Sequence, residues 1–241
     1  MILKFSCADF TFPLLKHVDA LKFISMMGFD GVDIGLFEQR SHLWPSTEFS
    51  NTTKNAKELK NNLDAVGLKA ADIFMQTAPD FYTIAPNHPD DKVRQKNRDW
   101  FLHTLEYAAI AGSGHISVLP GVAFKEETYE SSLNRCCEEL AWRTWEAKEY
   151  GLVFGIEAHV GSIVDTPQKA LELVKRVKGL TLTLDYTHFT KQGYSDYQID
   201  ILLPYASHFH ARGAAPGILQ CMVSENTINY DAITKKLEAL N

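Results

Sequence analysis

A regular alternation constrains this chain more than any other feature. Short apolar runs at 3–7, 31–36, 68–74, 116–119, 152–156, 180–184 and 206–211 are separated by longer stretches where apolar side chains recur every three or four positions. A short run bounded by turn residues reads as a strand, and a longer stretch of period 3.6 as an amphipathic helix. Helices are expected over 13–28, 52–66, about 89–111, 126–150, from Asp165 or Thr166 onward, briefly after Asp196, and over 230–240. Their ends are punctuated accordingly. Pro89, Asp90 and Asp91 put a proline and two acids into a first turn, Pro167 occupies a first helical position, and Gly67 and Gly151 act as stops.

Strand and helix alternating roughly every 25 to 40 residues specify a parallel sheet with helical crossovers. Seven such units without a GxGxxG fingerprint favour a (β/α) TIM barrel over an open doubly wound sheet. No polar linker divides the chain, so residues 1–241 are expected to form one domain. The eighth strand of such a barrel is not found before Asn241, so it is either missing or truncated, or the barrel closes with seven.

Composition narrows the function classes. An apolar fraction of 45% and a charged fraction of 22% are ordinary for a soluble domain. A net charge of −6 gives no global basic field for nucleic acid phosphates. No apolar run approaches the about 20 residues of a membrane span, and the first residues lack a signal-peptide pattern. A cytoplasmic enzyme without a nucleic acid or membrane partner is the expectation. Cys7, Cys136, Cys137 and Cys221 contain no CxxC pair and read as reduced thiols.

In α/β barrels the chemistry sits at the C-terminal ends of strands. The fifth run ends at Glu157, the sixth at Asp185 and the seventh at His210. Asp185 follows Glu157 by 28 residues and His210 follows Asp185 by 25, each about one strand–helix unit, so the three would converge on the rim. Parity agrees: Thr181, Thr183 and Asp185 share one strand face and Leu180, Leu182 and Leu184 the other, while His208, His210 and Arg212 form a second inward column. Two carboxylates and an imidazole suit one divalent metal, Mn, Mg, Co or Zn, able to polarise a carbonyl. The same rim offers His159 and His188 as substrate-orienting or acid–base groups, His188 being the catalytic candidate beside Glu157. Arg212 could pair with a substrate oxygen. Trp44, with Phe37, Phe74 and Phe81, could wall a sugar pocket. For any one of these residues, a loop cap, a rim ion pair or plain core packing would also serve.

At Ile156-Glu157-Ala158-His159, Leu184-Asp185-Tyr186-Thr187-His188 and His208-Phe209-His210-Ala211-Arg212 the chain resembles the sugar phosphate isomerase/epimerase family, with its xylose isomerase-like TIM barrel. The resemblance extends to Gly28-Phe29-Asp30-Gly31-Val32-Asp33, Ala111-Gly112 and Pro120-Gly121. It implies metal ligation by Glu157, Asp185 and His210, and places His188 beside the substrate. It also implies Glu157 as one of two glutamates that move protons next to a carbonyl, and a homo-oligomer. The family's fourth ligand, a glutamate after strand eight, has no counterpart, because Glu225 precedes the last helix. The leading expectation is a metal-dependent sugar or keto-sugar isomerase/epimerase. A lyase or dehydratase using the same proton abstraction follows, then a catalytically inactive sugar-binding barrel. Last comes an endonuclease IV-like repair enzyme, for which Leu119 stands where a histidine is needed.

Overall fold

The computed structural model describes residues 3–240. Seven strands, β1 (Ser6–Ala8), β2 (Gly31–Phe37), β3 (Lys69–Gln76), β4 (His115–Val118), β5 (Val153–Ile156), β6 (Thr181–Asp185) and β7 (Ala206–His210), lie in that order, each parallel to the next. The sheet curls into a barrel wall whose edges are β1 and β7; no ladder joins them among the described residues. This is an α/β TIM-barrel architecture with seven strands, and the eighth is absent from residues 3–240.

Nine α-helices are found among those residues: α1 (His17–Met26), α2 (Pro45–Glu48), α3 (Thr52–Val66), α4 (Asp91–Ala111), α5 (Tyr129–Glu149), α6 (Pro167–Arg176), α7 (Tyr186–Thr190), α8 (Asp196–Ile199) and α9 (Tyr230–Leu240). Local chemistry sets several of their limits. Asn51, Asp90, Thr128 and Thr166 each accept a first-turn backbone N–H, from Lys54, Lys92, Ser131 and Lys169 respectively. Gly67 and Gly112 end α3 and α4 in the left-handed conformation. The reading of 13–28 as helix began too early: Leu15 N–H bonds Phe12 C=O in a turn, and α1 starts at His17. The four-residue α2 and five-residue α7 were not anticipated, because neither is long enough to show a period.

Every residue of β2 is buried, as expected for a strand covered on both faces. Val32, Ile34 and Leu36 join the hydrophobic cluster, which also takes in Leu59, Leu63, Phe101, Leu105, Leu140, Leu173 and Ile233 from the helices. The barrel interior is polar by contrast. Ser117 Oγ meets Thr183 Oγ1 at 2.5 Å, Ser6 Oγ donates to Asp33 Oδ1 at 2.8 Å, and His208 Nε2 meets Asp33 Oδ2 at 3.0 Å. The last contact runs from β7 to β2 across the open edge. Gly155 makes room for this interior, since a Cβ there would lie 2.7 Å from Thr183 Oγ1 and 3.1 Å from His115 Cε1.

Candidate metal and substrate site

Glu157 directly follows β5, Asp185 ends β6 and His210 ends β7. Register carries Asp185 beside His210, and Ile156 beside Leu182. His210 Nδ1 donates to Glu157 Oε1 at 2.7 Å. His188 Nε2 lies 3.9 Å from Glu157 Oε2 and 3.7 Å from Asp185 Oδ2. Glu157, Asp185, His159 and His188 are all buried, which removes water from four titratable groups at once.

Glu157, Asp185 and His188 bring one ligand atom each within 4.8 Å of one another, and Asp33, His208 and His210 form a second such group. Of the three expected ligands, Glu157 and Asp185 fall in the first group with His188, while His210 falls in the second and is tied to the first only by its hydrogen bond to Glu157. One observation fits a cation site. His210 Nε2 and His159 Nε2 are buried without a hydrogen-bond partner among the described residues, Asp33 Oδ2 lying 4.0 Å from the former. Asp185 is by contrast satisfied within the chain: Arg212 reaches its Oδ2 through Nε at 3.1 Å and a terminal guanidinium nitrogen at 2.9 Å, so an ion there would share this carboxylate with the guanidinium. The donors, carboxylate oxygens and imidazole nitrogens, match hard to borderline divalent ions.

Electrostatics follow from burial and these contacts. Burial alone would raise the Glu157 carboxyl, but the His210 hydrogen bond and the charges of His210, His188 and His159 hold it down at about 2. Burial would lower His210, and Glu157 outweighs it, so the imidazole is pushed up to about 9. Burial lowers His188 and His159 below the ordinary histidine range, although Glu157 pulls both the other way.

Asp185 also caps α7, accepting from Thr187 N–H at 2.8 Å and Thr187 Oγ1 at 2.5 Å. Cap and rim carboxylate are thus one residue rather than alternatives. Arg212 Nε donates further to Thr187 Oγ1 at 3.0 Å, and its terminal nitrogen stands 3.0 Å from His188 Nε2. Phe81 packs on His159 with centroids 4.5 Å apart, and Phe74 on His210 at 5.8 Å. Beside His159 a cavity with about 30 Å³ of room is lined by Met75, Phe81, Ile84, Val118 and Val122. Trp44 lies apart from this cluster: 40% exposed at the start of α2, it donates to Ser41 C=O. His42 bonds Leu15 C=O instead. Asp33 was missed as a candidate because it sits inside β2 rather than at its end; its parity with Gly35 and Phe37 was the available signal.

The family model for the xylose isomerase-like TIM barrel matches residues 21–241. The chain belongs to that family. Among solved structures, a D-tagatose 3-epimerase-like protein is similar at 21% identity and a TM-score of 0.76, over 99% of this chain and 87% of that one. The probable 3-DHS dehydratase AsbF of Bacillus anthracis matches at 16% and 0.72, over 98% and 89%. The IOLI protein with a binding zinc atom matches at 18% and 0.69, over 99% and 86%. No curated protein matches the chain. At these identities the similarity is one of fold, which by itself does not fix a reaction.

Proposed function

We propose that this xylose isomerase-like barrel is a divalent-metal-dependent epimerase or isomerase of a sugar or keto-sugar. The observation that carries the reading is the convergence of Glu157, Asp185, His188, His210 and Arg212 beyond the ends of β5, β6 and β7. A divalent ion, held by Glu157, Asp185 and His210, would supply Lewis-acid polarisation of a substrate carbonyl.

The remaining work falls to the chain's own groups. Glu157 is the base for the proton on the carbon next to that carbonyl; its Oε2 is the oxygen left free by the His210 bond. His188 is held on both ring nitrogens, Nδ1 lying 3.3 Å from Val160 N–H and Nε2 3.0 Å from an Arg212 terminal nitrogen. The guanidinium thus stands beside the imidazole at the mouth of the carboxylate cluster. A substrate carbonyl or hydroxyl oxygen, becoming more negative as the proton leaves, would be met by the positive charge of Arg212. His159 and Phe81 would border the far end of the substrate, with Phe74 excluding water. Trp44 would contribute only as an outer wall of the pocket.

The fold similarity to a dehydratase supports a second reading, because β-elimination begins with the same proton abstraction. Incubating the Mn²⁺-loaded protein with a panel of ketoses in D₂O, followed by NMR, separates the two. An epimer carrying deuterium at the inverted carbon supports the first reading. An unsaturated keto product supports the lyase. Absence of both exchange and turnover across ketoses, keto-sugars and sugar acids would leave a binding barrel without chemistry.

A further inference from the structure

We propose a second reactive centre in the lower half of the barrel: a serine nucleophile, Ser207, activated by His115 and Asp72, acting on short-chain carboxylic esters. It uses none of the groups at the strand ends. Asp72 is inside β3, His115 opens β4 and Ser207 is the second residue of β7.

The three side chains form a continuous chain of hydrogen bonds. Asp72 Oδ1 lies 2.7 Å from His115 Nδ1, and His115 Nε2 lies 2.7 Å from Ser207 Oγ. Both distances fall within the reach required of a nucleophile, its base and the group that orients the base. The burial gradient has the right direction. Asp72 is completely buried, His115 is 6% exposed, and Ser207 is exposed on an edge strand.

Proton accounting supports the assignment. Burial works against the Asp72 charge, but His115 holds that carboxyl down at about 2. An ionised Asp72 takes the Nδ1–H of His115 and leaves Nε2 as the acceptor for Ser207. Thr181 Oγ1, 2.5 Å from Ser207 Oγ, donates its own proton to Phe154 C=O at 2.7 Å. The Ser207 hydroxyl proton is therefore shared between His115 Nε2 and Thr181 Oγ1, with Leu182 C=O a more distant acceptor at 3.5 Å. Packing fixes the imidazole: His208 lies against it at 5.3 Å, and the bare Cα of Gly155 leaves its edge free.

In the proposed step Ser207 Oγ bonds to the ester carbonyl carbon while its proton moves to His115 Nε2. The carbon–alkoxy bond then breaks, and that proton leaves with the alcohol. Water adds to the acyl-serine, giving its proton first to His115 and then to Ser207, and the carboxylic acid departs. No oxidant, reductant or metal is required.

The test uses metal-stripped protein in EDTA, in both the native and Asp185→Asn forms, so that the strand-end site cannot contribute. A fluorophosphonate probe followed by peptide mass spectrometry reads modification of Ser207, and 4-nitrophenyl acetate reads an acylation burst. The expected result is labelling at Ser207, with loss of label and burst in Ser207→Ala. Labelling should slow about a hundredfold in His115→Gln, the usual worth of a general base. If His115→Gln does not fold, Asp72→Asn, which keeps the side-chain shape, replaces it. An unlabelled Ser207 in the native protein overturns the proposal, and so does equal labelling in a folded His115 or Asp72 variant. Either result leaves the sugar-site reading untouched.

Discussion

Arg212 is gripped through its own backbone. Tyr230 Oη accepts from its N–H at 3.1 Å and donates to its C=O at 2.5 Å, so the first residue of α9 aims a guanidinium at the rim. The planar fork then reaches Asp185, Thr187 and the vicinity of His188 together. A lysine ammonium cannot span these groups. Arg212→Lys is expected to weaken substrate binding about tenfold, seen as a raised KM in the ketose assay, with an unchanged circular dichroism spectrum. An unchanged KM would make Arg212 a structural partner of Asp185 only. At this scale the sequence was legible where a polar residue closes an apolar run, as at Glu157, Asp185 and His210. It was not legible where a contact spans the barrel: Asp33 meets His208 from 175 positions away, and no local pattern encodes that.

Helices α4 and α5 are joined through Glu139 and Arg143, a buried pair one turn apart on α5 that reaches Arg98 and Asn97 on α4. Arg143 is completely buried; it reaches Glu139 Oε2 at 2.7 Å and Asn97 Oδ1 at 2.7 Å, and Glu139 also takes Arg98 at 2.8 Å. Glu139→Ala would strand the Arg143 charge in the interior, at a cost of about 3–5 kcal/mol in urea unfolding. The pH dependence has a definite sign. Burial raises the Glu139 carboxyl, but Arg98 and Arg143 outweigh it, so its pKa lies below the ordinary 4.5. The pair's contribution is complete above pH 4.5 and fades as pH falls through the depressed value. The Ala variant should lose that part of the acid sensitivity. The strands and long helices were readable because burial on both strand faces and one helix face writes itself as run length and period. The missed elements, α2 and α7, are each under two turns, and only their caps could have marked them.

The molecule as a whole is a parallel barrel wall of seven strands whose upper rim gathers carboxylates and imidazoles with little water around them. Ligands that bind only the folded state stabilise it by mass action, about 2.7 kcal/mol at a hundred times Kd. For a chain of this size that corresponds to a rise of roughly 5–10 °C in Tm. Mn²⁺ or Zn²⁺ should produce such a shift in differential scanning fluorimetry, and Asp185→Asn should abolish it.

The central claim is that Glu157, Asp185 and His210 hold one divalent ion. Elemental mass spectrometry of the purified chain, beside folded Asp185→Asn and His210→Ala variants, tests it most directly. About one Mn, Mg, Co or Zn per native chain is expected, with loss of that ion from both variants. A native protein that stays metal-free after incubation with Mn²⁺, or variants that retain a full equivalent, would contradict it.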